Sequence, residues 1–440
     1  MMSSANWCMV LFTWALIGAA QAYRRCHPKV PCRCLNSRHF DPEAEDAMII
    51  DCSRRGLLTI PIFPSLVNVK IQRIVLTGNR IHEVLGRQFV GLNVSEIYLD
   101  NNPITKIEVD AFQGVEGLKT LVFTGCNMTR IPRVFEYTPD LIDLSLARNH
   151  IRNITPGFFK HLTKLHFLDL SRNPLAFAED MFRGLEESLK DLKLNGVGLT
   201  EIPTAALAKL RRLDNLELQD NGFKGLYNHT FVGLPRNRFT HYIFDNNNIR
   251  YIAPDAFHGH PMPIYLDLHE NRIKKVDFIK DPCFFQASII HLHGNPIHCD
   301  CSLYNLTKHR QLMLHGDCMT PRKWRRLPLM EEPEVHTSHD SVHTFTTVAS
   351  ETCGDDEPYK KYDCPCKESG NHVHVHDHGD EDFESHDPHH GHEMSCATYD
   401  IALPSLERSG SGSRLSFSGM TLLVALVVYT QVALVAGVQS

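Results

Sequence analysis

One pattern, LxxLxLxxNxL, recurs ten times between residues 71 and 297. It begins as Ile71, Ile74, Leu76, Asn79, Ile81 and returns as Leu141, Leu144, Leu146, Asn149, Ile151. Further copies include Leu213, Leu216, Leu218, Asn221, Phe223, and the last is Ala287, Ile290, Leu292, Asn295, Ile297. The polar rung falls at 79, 102, 126, 149, 173, 197, 221, 247, 271 and 295, spacings of 23 to 26 residues. No unit this short can bury its apolar face alone; stacked units share one continuous core. At 440 residues the chain also exceeds a single compact core, so an extended array is the natural solution.

Within each copy the LxL core predicts a short strand whose alternate side chains face inward. Stacking turns these strands into a parallel sheet, and the chain then bends at the Asn, whose amide can serve main-chain groups that the bend leaves unpaired. A second apolar ring contains Phe89, Phe112, Phe135, Phe159, Phe182, Phe231 and Phe257, with Leu207 in the remaining place, and predicts a spine on the convex side. Cys126 and Val197 replace Asn on two rungs. A thiol donates weakly and a valine side chain cannot hydrogen-bond, so a buried free thiol and a looser turn are expected there.

These repeats resemble the extracellular leucine-rich repeat family in its 24-residue form. The resemblance implies an α/β solenoid: a leucine-rich repeat horseshoe with a concave parallel β-sheet, about ten repeats, disulfide-capped at both ends. Residues 23–61, with Cys26, Cys32, Cys34 and Cys52, look like the N-terminal cap; residues 62–297 hold the repeats; residues 298–353, with Cys299, Cys301, Cys318 and Cys353, look like the C-terminal cap. Four cysteines allow three pairings, and sequence alone does not choose. The family implies Cys26–Cys34 with Cys32–Cys52, and Cys299–Cys318 with Cys301–Cys353, Cys364 being a substitute for Cys353. Cys283, Cys364, Cys366 and Cys396 are left unassigned.

The ends of the chain set the expected compartment. Residues 9–20 form an apolar stretch before Ala20-Gln21-Ala22, so 1–22 reads as a signal peptide. Sequons at Asn93, Asn127, Asn153, Asn228 and Asn305 agree with export. Residues 420–438 are apolar and no basic residue follows them. With small residues at 409–411 and a polar spacer, they read as a glycosylphosphatidylinositol (GPI) attachment signal, with Ser409 as the attachment site and 410–440 as the propeptide. Residues 354–409 carry 14 Asp and Glu against 4 Lys and Arg, and so read as a disordered, acidic, His-rich stalk. His372, His374, His376, His378, His389, His390 and His392 could give it weak Zn or Cu affinity; no other cofactor is implied.

Facing outward on the concave sheet, one residue per repeat, is a central column: Val75, Tyr98, Val122, Ser145, Asp169, Lys193, Glu217, Ile243, Asp267, His291. Tyr98, Asp143, Asp169, Lys193, Glu217, Asp245, Asp267 and His291 are the candidate binding residues. Asp191, Asp214, Asp220 and Glu270 extend an acidic zone suited to a basic partner region. His269 and His293 fall in one column beside His291 and Asp267, as exposed imidazoles or a surface metal site. The cluster Arg322-Lys323-Trp324-Arg325-Arg326 could take a sulfated glycan. Positive charge is not concentrated as a nucleic-acid binder requires, and no nucleophile elbow or zinc-protease helix is present.

The expected function is non-enzymatic recognition or adhesion at the outer cell surface. The protein would hold an extracellular partner, homophilic or not, on the concave face and the outer leaflet through a GPI lipid. The plan is similar to that of GPI-linked arthropod adhesion proteins such as connectin and chaoptin. Alternatives are a ligand-binding co-receptor, a matrix or metal-binding protein using the His-rich tail, and a non-catalytic partner of a secreted enzyme.

Overall fold

The computed structural model describes residues 24–25, 31–36, 47–63, 66, 69–231, 233–234, 240–257, 264–279, 288–307, 312–330 and 344. The chain divides into two units, residues 1–365 with 385–394, and residues 366–384 with 395–440; every described residue belongs to the first. The expected signal peptide, stalk and propeptide, with Cys26, Cys283, Cys353, Cys364, Cys366, Cys396, Ser409 and the tail histidines, lie outside the described residues.

One sheet of 14 strands runs through the described residues in chain order. It begins with β1 (Arg24–Arg25), β2 (Arg33–Asn36) and β3 (Met48–Asp51), which pair antiparallel. Ten repeat strands follow, all parallel: β4 (Lys70–Val75), β5 (Asn93–Tyr98), β6 (Thr120–Val122), β7 (Asp143–Ser145) and β8 (Phe167–Asp169) come first. β9 (Asp191–Lys193), β10 (Asn215–Glu217), β11 (Thr240–Ile243), β12 (Ile264–Asp267) and β13 (Ile289–His291) complete the ten. β14 (Met313–His315) adds a parallel strand from the C-terminal cap. The expected solenoid with a parallel sheet is therefore the observed fold. Helix is scarce among the described residues: α1 (Thr204–Leu207) and α2 (Cys301–Thr307), the latter capped by Asp300 Oδ1, which accepts the Leu303 N–H at 3.0 Å.

The template positions are the core. Ile71, Ile74, Leu76, Leu141, Leu144, Leu146, Leu216 and Leu218 are all fully buried. The phenylalanine ring is buried as well, with Phe89 on Phe112 at 5.4 Å and Phe231 on Phe257 at 4.3 Å, both stacked face to face.

The Asn ladder explains the bend. Asn149 Nδ2 donates to the carbonyls of Leu146 (2.9 Å) and Phe123 (2.8 Å), one in its own repeat and one in the repeat before. Its Oδ1 accepts the Met128 N–H at 3.1 Å. Repeating this gives an interior carbonyl two amide donors: Leu146 O also accepts from Asn173, and Leu218 O accepts from both Asn221 and Asn247. The residue just before each rung is left-handed in all ten repeats, with φ between 52° and 71°; four of these are Gly78, Gly125, Gly196 and Gly294.

Of the two blank rungs, Cys126 is as expected and Val197 is not. Cys126 is buried and free, its Sγ donating weakly to Leu99 O at 3.6 Å. At Val197 the expected loosening is not observed. Asn221 Oδ1, one repeat on, accepts the N–H groups of Val197, Gly198 and Leu199, each at 3.0 Å. At both blanks the N–H that a rung Asn would have taken turns instead to the preceding Asn carbonyl: Ile104 N to Asn102 O (2.8 Å) and Leu175 N to Asn173 O (2.9 Å).

In the caps, Cys32–Cys52 and Cys299–Cys318 are bonded. Cys34 and Cys301 are disulfide-bonded too.

Candidate functional site on the concave face

Strand register decides which side chains share the inner face. β4 to β13 align Val75, Tyr98, Val122, Ser145, Asp169, Lys193, Glu217, Ile243, Asp267 and His291 as one row, the expected central column. Asp51 in β3 and His315 in β14 extend it at either end. A parallel row holds Arg73, Glu96, Thr120, Asp143, Phe167, Asp191, Asn215, His241 and Tyr265.

The first third of this face is closed on itself. Tyr98 Oη donates to Glu96 Oε2 at 2.9 Å, Arg73 Nε lies 3.2 Å from the same oxygen, and the guanidinium stands 6.0 Å from the Tyr98 ring. Burial, reinforced by the Glu96 charge, pushes the phenol's pKa upward and keeps it protonated.

The middle is carboxylate-rich. Asp143 Oδ2 accepts from Thr120 Oγ1 at 3.0 Å, and Asn195 Nδ2 donates to Glu217 Oε2 at 2.9 Å. Lys193, the one Lys or Arg of the ten-residue central row, is held by Glu217 at 2.8 Å. Burial raises the pKa of Asp143; burial and then the Asp191 charge raise that of Asp214. These carboxylates are partly stripped of water and repel one another.

Histidines and acids dominate the last third. His269 Nδ1 lies 2.6 Å from Asp267 Oδ1 and its Nε2 lies 3.5 Å from Asp245 Oδ2. One donor atom from each of the three falls within 4.8 Å of the others, a set of imidazole and carboxylates that Zn accepts. Beside it the rings of His241, Tyr265, His291 and His315 run across four strands with centroids 5.1, 5.1 and 4.7 Å apart. Burial lowers the pKa of both His241 and His291, which favours neutral rings.

A leucine rich repeat family profile matches residues 131–175, where the rungs Asn149 and Asn173 lie. The repeats of this fold are leucine-rich repeats. Tsukushi from Gallus gallus is 32% identical over 154 residues, 34% of this chain and 35% of that protein. Keratocan from Danio rerio is 28% identical over 228 residues, 50% of this chain and 55% of that protein. The chain thus spans about a third to a half of the length of these relatives. A solved complex of TLR13 with ssRNA13 shares a TM-score of 0.48 at 23% identity, over 57% of this chain and 37% of that one.

In this leucine-rich repeat chain the eight candidate binding residues are all half-buried on β-strands or just after them. Register brings Tyr98, Asp169, Lys193, Glu217, Asp267 and His291 into one row and places Asp143 and Asp245 in flanking rows. His269 and His293, expected as exposed imidazoles or a surface metal site, make separate contacts: His269 bridges Asp245 and Asp267, and His293 Nδ1 faces Asp317 Oδ2 at 3.6 Å. Sequence reading missed His315 and Asp317, because the cap strand that ends at His315, just before Asp317, has no rung Asn. Among the described residues no helix is long and apolar enough to cross a membrane.

Proposed function

We propose that this chain is an extracellular recognition protein that seats a protein partner on the concave face, with a cationic stretch of that partner against Asp143, Asp169, Asp191, Asp214, Asp245 and Asp267. The observation behind this reading is a group of half-buried carboxylates across neighbouring rows of one face, where the one lysine of the central row, Lys193, is already committed to Glu217. Incoming Lys or Arg would relieve a repulsion that the fold leaves in place. The relatives, extracellular leucine-rich repeat proteins, support a protein-binding and non-catalytic role. Adhesion at the outer leaflet through a GPI lipid is the setting we propose, and the sequence features at the two ends support it. Tail binding of Zn or Cu would be secondary.

The test is a glycan wedge. Asp169→Asn creates an Asn-Leu-Ser sequon at the centre of the face, because Leu170 and Ser171 follow. Proximity labelling of cells displaying the full chain should lose its principal labelled neighbour with this variant and keep it when a sequon is added on the convex side. A neighbour that survives the inner wedge and disappears with the outer one would overturn the reading.

A further inference from the structure

Away from the concave face, several cations of the return segments pair with acids, most of them one repeat over. Lys164 meets Asp140, Lys209 meets Asp180 at 2.7 Å, Arg211 meets Glu187, and Lys106 lies between Glu83 and Glu108. Others, Arg183, Lys224 and Arg250 among them, have no ion pair among the described residues, and one stretch gathers several such cations together. A recess of about 980 Å³ opens between the return segments that follow rungs 126 and 149. Arg130, Arg133, Arg152, Lys160 and His161 line it, against a single acid, Glu136. All six are exposed, and none of the four Lys and Arg has an ion pair among the described residues. Behind these polar groups lies an apolar floor: Ile131 and Ile154 are buried, and buried Phe135 meets the half-buried Phe158 edge to face at 5.7 Å.

We infer that this recess is a binding site for a sulfated oligosaccharide. Its size lies within the range of pockets that hold small ligands. Three guanidinium groups and an ammonium, unpaired and close together, suit a ligand bearing several sulfates, because each planar guanidinium can bind two oxygens of one sulfate. The half-buried Phe158 ring and exposed Pro156 offer the C–H face of a sugar ring a small apolar contact. A recess between two repeats admits a chain segment and is poorly shaped for a flat lipid surface. Asn153, an expected N-glycosylation site, also lines the opening, so a glycan attached there would compete with the ligand. The site is separate from the concave-face reading, and from the cap cluster Arg322–Arg326 that sequence alone pointed to.

The experiment uses the full chain with Asn153→Gln, so that its rim is free of N-glycan, and heparin as the probe at neutral pH and 0.15 M salt. Binding is expected, weakening steeply with salt as condensed counterions are released, and absent for fully desulfated heparin. Joint replacement of Arg130, Arg133, Arg152 and Lys160 by Ser should weaken it tenfold or more. Joint replacement of Arg322, Lys323, Arg325 and Arg326 by Ser should change it less than twofold. Heparin should also protect Lys160 from amine acylation in the otherwise unaltered chain, a readout that does not depend on how the four-site variant folds. Three results would each overturn the inference: no heparin binding, loss only with the cap variant, or binding to phosphatidylserine vesicles without binding to heparin.

Discussion

Asn221 Oδ1 lies 3.0 Å from the main-chain nitrogen of Val197, and it takes the N–H groups of Gly198 and Leu199 at the same distance. Asn247, one repeat further on, takes only the Phe223 N–H, at 3.4 Å. Each N–H left without a partner costs about 1–3 kcal/mol when buried and less where water reaches it. Asn221→Leu should therefore destabilise the array by about 2 kcal/mol more than Asn247→Leu, read as the difference in urea unfolding free energy. Val197→Asn should add about 1 kcal/mol by restoring amide donors to Leu170 O and Leu194 O. Equal losses at the two Asn positions would refute this assignment.

Burial pushes the pKa of the Cys126 thiol up to about 12. Only the thiolate reacts with alkylating reagents. Peptide mass mapping after iodoacetamide treatment at pH 8 should find Cys126 unmodified in the native protein and modified once urea has unfolded it. Modification under native conditions would show that the rung opens.

The carboxylates of the concave face should oppose stability at neutral pH. Burial raises the folded-state pKa of Asp143 and Asp214 above the unfolded value. The native state then holds protons that the unfolded chain has already released, so ionisation costs the fold at pH 7. That cost fades as pH falls through the raised pKa values. Asp143→Asn with Asp214→Asn should raise Tm at pH 7, and the gain should shrink steadily towards pH 4. A gain independent of pH would assign it to packing. The same double variant should bind the proposed cationic partner more weakly, as expected where stability and binding compete for the same groups.

Four of the five sequons, Asn93, Asn127, Asn153 and Asn228, are exposed. Asn305 is half-buried within α2, and the Thr307 hydroxyl of its sequon is buried and donates to Tyr304 O at 2.8 Å. Enzymatic deglycosylation in heavy-oxygen water should label the first four sites and leave Asn305 unlabelled.

Much of this fold was legible because the period leaves little freedom. Once Leu144, Leu168 and Leu192 face inward, Ser145, Asp169 and Lys193 must face outward, and equal spacing sets them in one row. Side-chain direction was less legible: period placed His269 beside His293, whereas rotamers turn His269 to Asp245 and Asp267. The left-handed residue before each rung was hidden where Arg148, Arg172 or Glu270 occupies it, since none is a turn former by composition. The unpaired cations Arg130, Arg133, Arg152 and Lys160 sit in the variable part of the repeat and become neighbours only when two repeats stack.

The doubled amide donation to interior carbonyls sets a rule for sequence drift. Losing one Asn removes only one of two donors: Leu194 O still accepts from Asn221 at 2.9 Å, and Leu170 O from Asn173 at 3.0 Å. Losing two consecutive Asn residues would strand a carbonyl in the interior. The existing blanks at Cys126 and Val197 are kept apart by Asn149 and Asn173. Asn102, Asn149, Asn173 and Asn221, which border them, have thereby lost their licence to vary, while Asn247 and Asn271 retain it, each on condition that the other stays.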